Sequence, residues 1–108
     1  MDEEWVLIAV YVPPGHTDAV CQAMFEAGAG TVDDGRYERV AFVSTARMRV
    51  RELSTATAHV SDEERVEMIC HRERVRAVID AILAVHPYEV PAISVIPMLN
   101  AAYGYWSD

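Results

Sequence analysis

The sequence lacks an apolar run approaching the ~20 residues that a membrane helix needs, although 52% of its 108 residues are hydrophobic, many of them alanine. It also lacks an excess of Lys and Arg. The formal net charge is −8, which opposes nucleic acid and anionic membrane surfaces as partners, because both bind through accumulated cations. The first residues, Met1-Asp2-Glu3-Glu4, are acidic and run straight into Trp5. A secretory leader would begin with basic residues and continue with a longer apolar segment, so a cytoplasmic location is expected. There are two cysteines, Cys21 and Cys70, too few for a disulfide framework. They read as small buried thiols on a helix face and a strand, suited to a reducing compartment. Gly-x-Ser-x-Gly, a phosphate loop, a His paired at helical spacing with a Glu base, and the ligand spacing of a zinc site are all missing. No catalytic or cofactor-binding residue is assigned, and a non-enzymatic protein is expected.

What is present reads as one domain over residues 1–108, without repeats or low-complexity tracts. Trp5 to Val12 is a nearly continuous apolar, β-branched run stopped by Pro13-Pro14-Gly15, the pattern of a central strand buried on both faces. From Thr17 to Ala27, with Thr17 or His16 at the start, Val20, Ala23, Met24 and Ala27 recur at helical spacing, and Gly28 supplies the stop. The turn-rich stretch Gly28 to Gly35 leads to a second strand over about Tyr37 to Thr45. Gly28-Ala29-Gly30 follows a helix rather than opening one, so it reads as a cap and turn, not a phosphate site. A long connection over Leu53 to His59, of the length that is usually mobile or functional, precedes a third strand at about Glu64 to Cys70, where Val66, Met68 and Cys70 share one face. Arg47, Arg49 and Arg51, spaced by two, lie on one strand face and read either as a solvated hairpin edge or as an anion site.

The second helix, about Arg72 to Val85, carries the apolar stripe Val75, Val78, Ile79, Ile82 and Leu83. It runs into His86-Pro87-Tyr88-Glu89-Val90-Pro91. Pro87 should end the helix near His86, and Pro91 should confine the following strand, about Ala92 to Leu99, to an edge. His86, Tyr88 and Glu89 are the candidate ligand-binding residues. Imidazole and carboxylate three residues apart can share a metal, so His86 and Glu89 are the candidate metal ligands, and the phenol can donate to an anion. Two other readings stand beside this one: ligand contact without metal, and a purely architectural corner in which His86 caps the helix. Cys70 and His71, neighbours on a strand, point to opposite faces and cannot readily chelate one ion.

The element order is βαββαβ, an α+β ferredoxin-like sandwich with a four-stranded antiparallel sheet and two helices on one face. One helical layer leaves the other face open, and a second copy of the same sheet is its expected cover. The carboxyl end, with Tyr103, Tyr105 and Trp106, reads as a docking segment.

The proline-bracketed corner, the strand ending in Ile96-Pro97, and Tyr105-Trp106 resemble the carboxyl third of the CutA divalent-cation-tolerance family. Gly28-Ala29-Gly30, Tyr37-Glu38-Arg39 and Arg65-Val66-Glu67-Met68 are similar to the YqfO-type module inserted in proteins of the Nif-three family. The resemblance implies the fold of the PII signalling proteins, a homotrimer, and a small ligand or a divalent metal ion, copper or zinc, between subunits. The chain departs from both patterns. The Ala-Cys-Val-Asn stretch of CutA proteins is replaced by Gly28 to Val32, and Val40 stands where the YqfO-type pattern places a Cys. The dimetal hydrolase core of the Nif-three family lies outside the inserted module, so its activity is not carried over. The alternative from another class is an adaptor that docks a protein partner through the Leu53 to Val60 loop or the aromatic tail.

Overall fold

The computed structural model describes residues 5–32 and 35–105; Trp106, part of the expected docking tail, lies outside them. The elements run β1 (Trp5–Val12), α1 (Thr17–Glu26), β2 (Phe42–Glu52), β3 (Thr57–His71), α2 (Val75–Val85) and β4 (Ile93–Pro97), with 3-10 turns at Arg72–Arg74 and Asn100–Tyr103. The strands form a four-stranded sheet in the spatial order β2-β3-β1-β4, every pair antiparallel. This is the ferredoxin-like arrangement.

Strand alternation explains the layers. Val6, Ile8, Val10 and Val12 of β1 and Val66, Met68 and Cys70 of β3 point to one face, where they form the core with Val20 and Met24 of α1 and Val78 and Ile82 of α2. Of the apolar stripe on α2, Val78 and Ile82 are fully buried, whereas Leu83 on its flank is half-exposed. On the opposite face of β1, Ala9 is buried and Leu7 and Tyr11 are only half-buried, so the strand is central but not wholly enclosed. β4 lies at the sheet edge, as Pro91 requires.

Two expectations need correction. The second strand begins at Phe42 rather than Tyr37, because Tyr37 pairs back with Val32 in an isolated bridge and Arg39 turns the chain at φ 60°. The expected loop over Leu53 to His59 is a tight turn at residues 53–56, and His59 lies within β3. β2 and β3 pair continuously from Phe42 opposite Glu67 out to Glu52 opposite Thr57. The outer half of this hairpin is exposed on both faces; β2 still alternates there, with Ala46, Met48 and Val50 on one face and Arg47, Arg49 and Arg51 on the other, but the Ser/Thr/Ala run through the turn into β3 carries no such pattern and looks like a loop. Arg47, Arg49 and Arg51 sit on one face of β2, the other edge strand, as the hairpin-edge reading expected.

α1 ends in a Schellman motif. Ala29 N–H donates to Met24 O at 3.0 Å and Gly28 N–H to Phe25 O at 3.1 Å, with Gly28 at φ +111°. Gly30 then threads between elements: its N–H donates to Ile69 O of β3, and its carbonyl accepts from Val40 N–H, both at 2.9 Å. At φ +82°, a Cβ on Gly30 would stand 2.9 Å from the Val40 carbonyl oxygen and 3.1 Å from the Phe25 ring. Gly30→Ala is therefore expected to lower unfolding free energy by roughly 1–3 kcal/mol in urea denaturation. The same change at Gly15, also at positive φ but with nothing within 4 Å of an added Cβ, should cost less.

Candidate functional site

The proline corner builds the site. His86 caps α2 through its backbone, its N–H donating to Ile82 O at 2.8 Å, and then turns extended at ψ 136°, the conformation that a following proline imposes. Its buried ring crosses to β1. His86 Nε2 lies 2.8 Å from the Tyr11 carbonyl oxygen, which can only accept, so Nε2 carries the proton. His86 Nδ1 accepts the Tyr88 N–H at 3.1 Å. Tyr11 N–H in turn donates to Ala92 O at 3.2 Å. Both sides of one β1 residue are thus tied to the corner.

This clamp carries the Tyr88 side chain across the open sheet face to β3, where its hydroxyl donates to Glu63 Oε2 at 2.9 Å. Glu63 is 1% exposed. Ser61 Oγ donates a longer bond, 3.4 Å, to the same oxygen, and Glu63 Oε1 is buried with no hydrogen-bond partner among the described residues. Beside it lies a cleft of about 400 Å³ lined by Tyr11, Ala46, Met48, Glu63, Val90 and Ala92, with Tyr88 and Arg47 also contributing. Register places Ala46 opposite Glu63 and Met48 opposite Ser61 on one face of the sheet, and Arg47 opposite Asp62 on the other. Arg47 pairs with Asp62 at 3.6 Å in solvent. Next to the cleft, Arg65 donates to the Tyr11 hydroxyl at 2.7 Å and to Glu67 Oε2 at 2.8 Å.

Of the residues that the sequence singled out, the structure brings His86 and Tyr88 together and leaves Glu89 exposed. His86 has one ring nitrogen protonated toward Tyr11 and the other occupied by Tyr88, so neither presents a free lone pair to an ion. Among the described residues, no group of three or more His, Cys, Asp or Glu could hold a metal. Cys70 Sγ donates to the His71 carbonyl at 3.2 Å, and the His71 ring stacks on Trp5 at 3.9 Å. Burial pushes the Cys70 thiol up to about 11 and raises that of Cys21, so neither is poised as a thiolate.

Sequence reasoning missed Glu63, Tyr11 and Met48. Glu63 falls in step with Arg65 and Glu67 on the outward side of β3, and alternation alone does not reveal that the corner folds over only one of them. The strongest available signal was the tyrosine within the corner, a phenol needing a partner once half-covered.

A model of the CutA1 divalent ion tolerance protein family matches residues 49–108. A "GTP cyclohydrolase 1 type 2 homolog" from Mycobacterium tuberculosis is 30% identical over 108 aligned positions, which cover 94% of this chain and 28% of the relative. Among solved structures, a Bacillus cereus protein related to NIF3 superposes with a TM-score of 0.83 at 31% identity, over 89% of this chain and 26% of that one. The PII-like protein CutA from Nostoc sp. superposes at 0.71 and 16% identity, over 90% and 84%. The chain thus spans about a quarter of the first two relatives and most of the third.

Burial, followed by the hydrogen bond to Glu63, pushes the Tyr88 phenol above its ordinary value. A raised folded-state value means that the contribution to stability is complete below the unfolded value of ~10 and is lost as pH rises through the folded one. Tyr88→Phe should therefore cost roughly 0.5–1.5 kcal/mol at neutral pH, the net range for one intramolecular hydrogen bond, since Ser61 still donates to Glu63 Oε2. The difference from wild type in urea unfolding should shrink above pH ~10.

Proposed function

The chain belongs to the CutA1 divalent ion tolerance family, and on that premise we propose that it is a non-enzymatic oligomer, a trimer of the PII type, which binds a small ligand or divalent metal ion in clefts between subunits. One observation carries the reading: a buried glutamate with an unbonded oxygen, Glu63, lines an apolar-walled cleft at the rim of a sheet face that no helix covers. That face presents Phe42, Met48, Val50 and Ile96, each more than one-third exposed, beside the Arg65–Glu67–Tyr11 network. Such a mixture of aromatic, aliphatic and arginine groups suits packing against another subunit. The family's description supports a role in divalent ion tolerance, signalling is the other role proposed, and two free thiols favour the cytoplasm.

Metal binding sets a specific demand. Copper or zinc at the corner would take His86 and Glu89 as ligands only after His86 releases Tyr11 or Tyr88, and further ligands would have to come from another subunit. The residues of one chain do not fit a closed metal site. The non-enzymatic reading rests on the roles of the polar groups, since His86 fixes backbone and Glu63 anchors Tyr88. The alternative, an adaptor, draws on Leu53 at the hairpin tip and Tyr103 near the carboxyl end, which are 84% and 83% exposed.

Native mass spectrometry at micromolar concentration should give three times the chain mass, and a monomer would refute the trimer. In thermal-shift screens across divalent metals, nucleotides and small anions, at least one class should raise the melting temperature. A flat response would favour the adaptor.

A further inference from the structure

We propose that the cleft beside Glu63 takes a protonated organic amine, whose N–H groups donate to Glu63 Oε1 and whose carbon skeleton lies against Tyr11, Met48, Val90 and Ala92. This rests on the reading of the cleft as a binding site and names the chemistry of its ligand.

The first argument is the asymmetry of the carboxyl group. Tyr88 and Ser61 both donate to Oε2, while Oε1 is buried with no donor. A carboxylate oxygen only accepts, and an acceptor removed from water without a donor is costly. The group that relieves this cost must bring an N–H or O–H into the cleft, and a cation does so most strongly, because charge-assisted hydrogen bonds exceed neutral ones.

The second argument is exclusion. A transition metal needs several ligands with free lone pairs. Here Glu63 offers one oxygen, His86 is engaged at both nitrogens, and the Tyr88 phenol is pushed away from the phenolate form. A phosphate or carboxylate ligand would face Glu63 with little to offset the repulsion: Arg47 is drawn to Asp62, and Arg65 is tied to Glu67 and the Tyr11 hydroxyl.

The third argument is the wall. A volume of about 400 Å³ lies within the ordinary range of small-molecule sites, and the lining is mostly hydrocarbon and aromatic. Such walls favour an ammonium with a carbon body, and the Tyr88 ring can add cation–π attraction, whereas the Tyr11 ring already carries the Arg65 guanidinium at 5.4 Å.

The test uses the full chain, with benzylammonium as the probe and benzyl alcohol as its neutral counterpart, read by calorimetry and thermal shift. Benzylammonium should bind and raise the melting temperature, and the alcohol at equal concentration should bind at least tenfold more weakly. Glu63→Gln should reduce amine binding at least tenfold while native mass spectrometry shows an unchanged oligomer. If that variant does not fold, carbon-13-labelled glutamate in the wild-type protein provides the readout, since one buried carboxyl resonance should shift on adding benzylammonium. Equal binding of amine and alcohol, undiminished amine binding by Glu63→Gln, or no carboxyl shift would overturn the proposal. So would dissociation of the oligomer by Glu63→Gln, which would assign Oε1 to a neighbouring subunit. A zinc-induced shift that requires Glu63, with no response to the amine, would overturn the ligand class but leave the binding-site reading standing. No response to any probe would remove both.

Discussion

The bond from the His86 ring to the Tyr11 carbonyl is the constraint on which the site depends. Without it, the segment after α2 would be held to the sheet only by the Ala92 carbonyl at its far end and by the Tyr88 hydroxyl. With it, the corner is joined to β1 on both sides of one residue, since Ala92 accepts the Tyr11 N–H. Tyr88, two residues along, is then held at the height where its hydroxyl reaches Glu63 across the sheet. The prolines make this possible by removing alternatives. Pro87 forbids another helical turn, and Pro91 lets the chain enter β4 only along an edge. A histidine suits the joint because one ring can donate to a strand carbonyl and accept from the next backbone amide simultaneously.

The fold was legible wherever one face of an element is buried. The helices, the inner halves of the strands and the helix stop at His86 follow from periodicity and from Gly and Pro placement. What the sequence hid was the arm formed by β2 and β3. Beyond Thr45 and Glu63 neither hairpin face meets the core, so on the β3 side Ser, Thr, Ala and His follow no pattern, and the alternation of Arg47, Arg49 and Arg51 with Ala46, Met48 and Val50 on β2 has no burial to reinforce it. The site was half legible. His86 and Tyr88 stood out because prolines frame them, and both make the bonds of the architectural reading, His86 to the Tyr11 carbonyl and Tyr88 to Glu63. Glu63 was invisible because its partner comes from a segment 25 residues away in sequence, and no local rule encodes that meeting.

The two sheet faces have different chemistry. The helix-covered face is almost wholly aliphatic, with Ile8, Val10, Val12, Met24, Val66, Met68, Val78 and Ile82 nearly or completely removed from solvent, and it holds the close-packed core of the fold. The open face is a mosaic in which the Arg65–Glu67 pair and the Tyr11 hydroxyl sit among Leu7, Ile69 and Ile96. Polar groups that satisfy one another within the face can meet a second surface without leaving charges stranded.

Glu63 is the exception to this economy, and the exception is informative. If its task were only to hold Tyr88, a glutamine would accept the same hydrogen bond at lower desolvation cost, and a leucine with Phe at position 88 would remove the polar demand entirely. The chain instead buries a carboxyl group and leaves one of its oxygens without a donor at the wall of a cleft. Local violations of polar satisfaction in an otherwise consistent structure concentrate where function requires them. The aliphatic core on the far side of the sheet can carry such a cost, and His86 supplies the rigidity that keeps it in place. The acid, the phenol that orients it and the histidine that positions the phenol therefore form one chain of dependence, and it runs from the proline corner to the cleft.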